Sequence, residues 1–94
     1  MAAERRVLAR IHGRVQGVWF RAWTVQEAER LGLAGWVRNR ADGTVEALFS
    51  GSDAAVEEML RLCREGPRLA RVTAVEAEPT GEPAPAGFEQ RPSA

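Results

Sequence analysis

The patterning of this 94-residue chain predicts an α+β sandwich of the ferredoxin-like kind, in which two helices cover one face of an antiparallel sheet in the order β-α-β-β-α-β. Three observations predict it. Segments of strict alternation give way twice to helical spacing. An Asp-Gly pair joins two of the strand patterns as a tight hairpin. The two helical segments are of similar length, and each gathers its apolar residues on one side.

Arg5 to His12 alternates, with Val7, Ala9 and Ile11 on one side and Leu8, Arg10 and His12 on the other, which is the period of a strand. Gly13 to Phe20 reads as a loop. Arg21 to Leu31 carries Ala22, Val25, Ala28 and Leu31 at helical spacing, with Gly32 as its stop. Ala34 to Asn39 is a short strand, Arg40 to Gly43 the turn, and Thr44 to Ser50 the returning strand, with Val45, Ala47 and Phe49 set against Glu46 and Leu48. Gly51 and Ser52 are expected to break that strand, and Ser52 to cap a helix over Asp53 to Arg64. Val56, Met59, Leu60 and Cys63 form its apolar face, and Glu65, Gly66 and Pro67 end it. Ala70 to Glu78 is a further strand. Residues 79–87, PTGEPAPAG, are a loop, and Phe88 to Arg91 a short extra C-terminal strand. The whole of 1–94 reads as one domain, folded from about 5 to 91, with 92–94 a frayed tail.

Composition removes several function classes. Hydrophobic residues make up 45% of the chain, enough for a packed core. No run approaches the roughly 18 apolar residues of a membrane span, and MAAERRVLAR lacks the apolar segment of a signal peptide, so a cytoplasmic protein without a membrane partner is expected. Thirteen basic residues, all arginine, balance 13 acidic ones. That zero sum argues against holding nucleic acid by counterion release, and TVEALFS lacks the basic-Gly-aromatic run of an RNA-binding sheet. With one cysteine and one histidine, no internal disulfide and no multi-cysteine metal site is available. No metal and no cofactor are expected, and the chain is read as a monomer. His12 reads as a structural or surface residue, Cys63 as a buried thiol and Asp42 as a turn residue.

The chemistry concentrates in GRVQGVWFR, residues 13–21, at a strand-to-helix junction. The first N–H groups of a helix have no intrahelical partner and carry about half a positive charge. A glycine at 17 lets the loop turn those amides inward. An anion such as phosphate would rest on the amides of Gln16, Gly17, Val18, Trp19, Phe20 and Arg21, with the Arg21 guanidinium folded over it. A plain glycine turn followed by a solvated arginine fits Gly17 and Arg21 as well. The placement of Arg21 speaks for the anion, because a cation near a helix N-terminus is mildly unfavourable unless something negative is bound there.

Two stretches carry a resemblance. GRVQGVWFR at 13–21 and GWVRNRADGTV at 35–45 match, at every fixed position and in register, the G-x-V-Q-G-V-x-F-R and G-W-V-x-N-x-x-D-G-x-V motifs of the acylphosphatase family, with TVQEAERLGLAGW between them. The resemblance runs from about Val7 to Val75. It departs at the end, where the family reads F-x-I-R and this chain has FEQR. It implies hydrolysis of a small acyl phosphate to a carboxylate and inorganic phosphate without a metal. It also implies that the Gln16 to Arg21 amides and the Arg21 side chain hold the phosphoryl group and that Asn39 orients the attacking water. Taken alone, Asn39 would be a strand-end turn residue.

Overall fold

The computed structural model describes residues 4–94. It contains β1 (Glu4–Arg14), α1 (Phe20–Arg30), β2 (Ala34–Asn39), β3 (Val45–Ser52), α2 (Asp53–Glu65), β4 (Arg71–Pro79) and β5 (Phe88–Gln90). The sheet order is β4-β1-β3-β2-β5. The β1–β3, β1–β4 and β2–β3 pairs are antiparallel. The short C-terminal strand β5 is parallel to β2, with Gly35 opposite Phe88 and Val37 opposite Gln90, so the completed sheet is mixed.

One face of the sheet supplies Val7, Ala9, Ile11, Val37, Val45, Ala47 and Phe49, all fully buried against Phe20 and Ala28 of α1 and Val56, Met59, Leu60 and Cys63 of α2. Each large apolar side chain removed from water there contributes about 1.5–3 kcal/mol. Phe20 meets Trp23 edge to face, and Phe49 stacks on Phe88, which holds β5 to the core. The opposite face carries a charge network. Glu46 accepts from Arg38 (2.9 Å) and Arg40 (3.3 Å) and pairs with Arg10 at 3.5 Å. Arg38 and Arg91 cover the Trp36 ring, and its Nε1 donates to Glu82 at 3.2 Å.

Several boundaries differ from the expected ones, each for a long-range reason. β3 continues through Gly51 and Ser52 because β1 supplies partners for both, Arg5 opposite Gly51 and Glu4 opposite Ser52. β1 extends into Gly13 and Arg14, where β4 carries one extra residue, Thr73, between the partners of His12 and Gly13. At that bulge β4 crosses close over Gly13: a Cβ there would lie 2.1 Å from the Arg71 carbonyl oxygen, so only glycine fits. Residues 92–94, expected to fray, instead end on backbone bonds to the β2–β3 hairpin. The Ala94 N–H donates to Asn39 O (3.0 Å), and the Ala41 N–H donates to Ala94 O (2.9 Å).

Candidate active site

The two helices begin differently. At α2, Ser52 accepts from the Ala55 N–H at 3.1 Å and Asp53 stands in the first turn, so the orphan donors and the dipole are both answered. At α1 the cap residue is Trp19, no side chain caps it, and the first turn holds no acid. The first helical bond is from the Trp23 N–H to Trp19 O at 3.0 Å, which leaves the preceding amides facing the β1–α1 loop. The far end of α1 is closed by Gly32 N–H to Glu29 O and Leu33 N–H to Ala28 O, the paired bonds of a glycine-terminated helix.

The loop turns sharply twice. Gly17 has φ +73° and Trp19 has φ +67°. Space does not require glycine at 17, since a Cβ there would meet nothing within 4 Å; the backbone angle does. Trp19 is the sole non-glycine residue with positive φ among those described, a state costing about 1–2 kcal/mol for an ordinary L-residue. Between and after these turns, Val18 and Phe20 point inward and are buried, while Trp19 stays 77% exposed.

A pocket of about 380 Å³ opens here, lined by Gly17, Trp19, Phe20, Arg21 and Asn39 together with Val15, Ala22 and Gln90. Arg21 is half-buried and makes no ion pair among the described residues. Asn39 ends β2 opposite Val45, and its Oδ1 is buried without a hydrogen-bond partner. Such an acceptor costs about 1–3 kcal/mol unless something fills it. A larger hollow, about 470 Å³, lies on the other face of the sheet among Leu8, Ala9, Arg10, Glu46, Glu76, Ala77 and Glu78. Its one cation, Arg10, is already paired with Glu46 and Asp42, so it offers an anion nothing.

Of the residues singled out in the sequence, Gly17, Trp19, Phe20, Arg21 and Asn39 share the pocket. Gln16 and Val18 are not among the residues that line it. The Gln16 side chain acts elsewhere. Its Nε2 donates to Arg40 O (2.8 Å) and Thr44 O (2.9 Å), tying the loop to the hairpin that follows Asn39. Sequence patterning does not reveal that clamp, nor Val15 and Gln90 as walls. Val15 continues the odd-numbered apolar set Val7, Ala9 and Ile11, a signal that could have found it. Gln90 depends on parallel pairing of a three-residue strand and carries none. The remaining reactive groups stand outside the pocket. His12 Nε2 lies 2.6 Å from Glu76 Oε1. Asp42 Oδ1 accepts from the Thr44 N–H (3.0 Å) and Oγ1 (2.6 Å), and these bonds hold its carboxyl below the usual range. Burial pushes the Cys63 thiol up to about 12.

The acylphosphatase family model matches residues 7–90. An acylphosphatase of Rhodospirillum rubrum is 62% identical over 87 residues, covering 93% of this chain and 96% of its own. Among solved structures, an acylphosphatase from Coxiella burnetii has a TM-score of 0.90 at 33% identity, covering 94% of this chain and 93% of that one. Acylphosphatase from Bacillus subtilis has a TM-score of 0.85 at 31% identity, covering 95% and 99%. With the motifs, the fold and the family match in agreement, the chain belongs to the acylphosphatase family, enzymes that hydrolyse acyl phosphates.

Proposed function

We propose that the pocket hydrolyses a small acyl phosphate to a carboxylate and inorganic phosphate, without metal or cofactor. The phosphoryl oxygens rest on the backbone amides from Gln16 to Arg21. The Arg21 guanidinium closes over them, and the Asn39 Oδ1 accepts a hydrogen bond from the attacking water. The observation that carries this reading is the buried, unpartnered Oδ1 of Asn39, a residue that lines the same pocket as the unpaired Arg21. An anion site alone needs no such acceptor, because an oxygen atom repels phosphate and attracts a water proton.

The chemistry suits these groups. A carboxylate is a good leaving group, so the work is positioning and stabilisation of charge on the equatorial oxygens. The water oxygen bonds to phosphorus as the P–O bond to the acyl group breaks. The electron pair leaves with the carboxylate, and the water proton passes to a phosphoryl oxygen. No carboxylate or imidazole lines the pocket to take it. Amides and guanidinium need no reorganisation at the moment of transfer, and loss of one such donor typically costs about 10²–10³ in rate.

Benzoyl phosphate is the direct probe. The purified protein is expected to hydrolyse it at the same rate with and without EDTA. Loss of turnover on chelation would place a metal in the mechanism and contradict the scheme.

A further inference from the structure

The Trp19 side chain has no structural role that accounts for it. It is 77% exposed, forms neither of the two aromatic pairs among the described residues, and occupies a backbone state that glycine or asparagine adopts more readily. Stability therefore does not explain a tryptophan here. Its place does suggest a use. It borders the pocket two residues before Arg21, and its neighbours there, Val15, Phe20 and Ala22, are apolar. A phosphoryl group held at the amides and Arg21 leaves the rest of the substrate outside the cradle, beside this ring.

We propose that Trp19 is a specificity-determining residue: an aromatic platform at the pocket mouth against which the acyl portion of the substrate packs, favouring acyl phosphates with a flat apolar acyl group. This rests on the phosphoryl cradle proposed above. An indole face is large, rigid and tolerant of different flat partners. It can rank acyl groups without touching the reacting atoms. The αL backbone at Trp19 is what turns the ring outward while Val18 and Phe20 on either side stay in the core.

The test compares kcat/KM for benzoyl phosphate and acetyl phosphate in the wild type, Trp19→Gly and Trp19→Phe, with circular dichroism and thermal melting as fold checks. Trp19→Gly suits the backbone angle, so it removes the ring without adding strain. The ratio of the two specificity constants is expected to fall about tenfold in Trp19→Gly, equivalent to about 1.4 kcal/mol, and to stay within about threefold of wild type in Trp19→Phe, which keeps a flat ring. A ratio unchanged in Trp19→Gly overturns the platform, whether both rates fall together or neither does. Failure of the cradle itself shows differently: a wild type that hydrolyses neither substrate overturns both proposals.

Discussion

Arg21 sits where a helix least favours a cation, and none of its described neighbours neutralises it. In the absence of ligand its charge is mildly destabilising; in the proposed scheme a bound anion turns it into a charge-assisted contact. Replacement by glutamine should therefore separate the two states. Without phosphate, Arg21→Gln is expected to melt at or slightly above the wild-type temperature, since the dipole conflict of a few tenths of a kcal/mol is removed. With phosphate, the wild type should gain stability as RT ln(1 + [L]/Kd), about 2.7 kcal/mol at a hundredfold excess over Kd, and the variant should gain far less. Benzoyl phosphate turnover should fall with it. Equal stabilisation of both proteins by phosphate would remove Arg21 from the site. Cys63 gives the contrasting case of a reactive residue type made inert by its surroundings, its thiol buried in the core and kept protonated.

At the scale of elements, the β1–α1 loop and the Asn39 hairpin are separate pieces of chain that the proposed scheme requires to keep one geometry. Gln16 joins them by donating both amide hydrogens across the gap. Gln16→Met keeps the length and loses both donors. It is expected to cost about 2 kcal/mol of stability, at about 1 kcal/mol per hydrogen bond, and to lower kcat, because a displacement near 1 Å at a reacting centre can cost about 10²-fold. Urea unfolding alongside steady-state kinetics checks both, and a variant with wild-type kcat would show that the clamp serves folding alone. The sequence shows these elements unevenly. α2 is legible end to end because Ser52, its apolar face and Gly66 are local signals. The last residues of β3, the β4 bulge at Thr73 and the parallel pairing of β5, a strand the sequence does announce, are not, since each rests on a distant partner: β1, Gly13 and β2 in turn. The tail at 92–94 likewise depends on the Asn39–Ala41 backbone.

For the molecule as a whole, the face opposite the helices is organised around the buried Glu46. Burial alone would raise its pKa, but the hydrogen bond from Arg38 and the charges of Arg38, Arg40 and Arg10 outweigh it and hold the carboxyl below its ordinary 4.5. With the folded value below the unfolded one, the stability that Glu46 contributes is complete above the unfolded value and is lost as pH falls through the folded one. The gap in urea midpoint between wild type and Glu46→Gln should accordingly narrow from neutral pH down to about pH 3; a constant gap would contradict this. The fold and the two motifs are legible because they are patterns of residue type. What the residues alone leave open is whether Gly17 and Arg21 make a turn or a site, and the uncapped start of α1 and the unpartnered Asn39 Oδ1 favour the site. The proposed chemistry is tested most directly by Asn39→Ala, through its single-turnover rate on benzoyl phosphate beside its affinity for inorganic phosphate. The rate is expected to fall about 10²–10³-fold while the fold and phosphate affinity hold, the latter within about threefold. A wild-type rate, or loss of phosphate binding by a folded variant, would contradict the assignment of Asn39 to the attacking water.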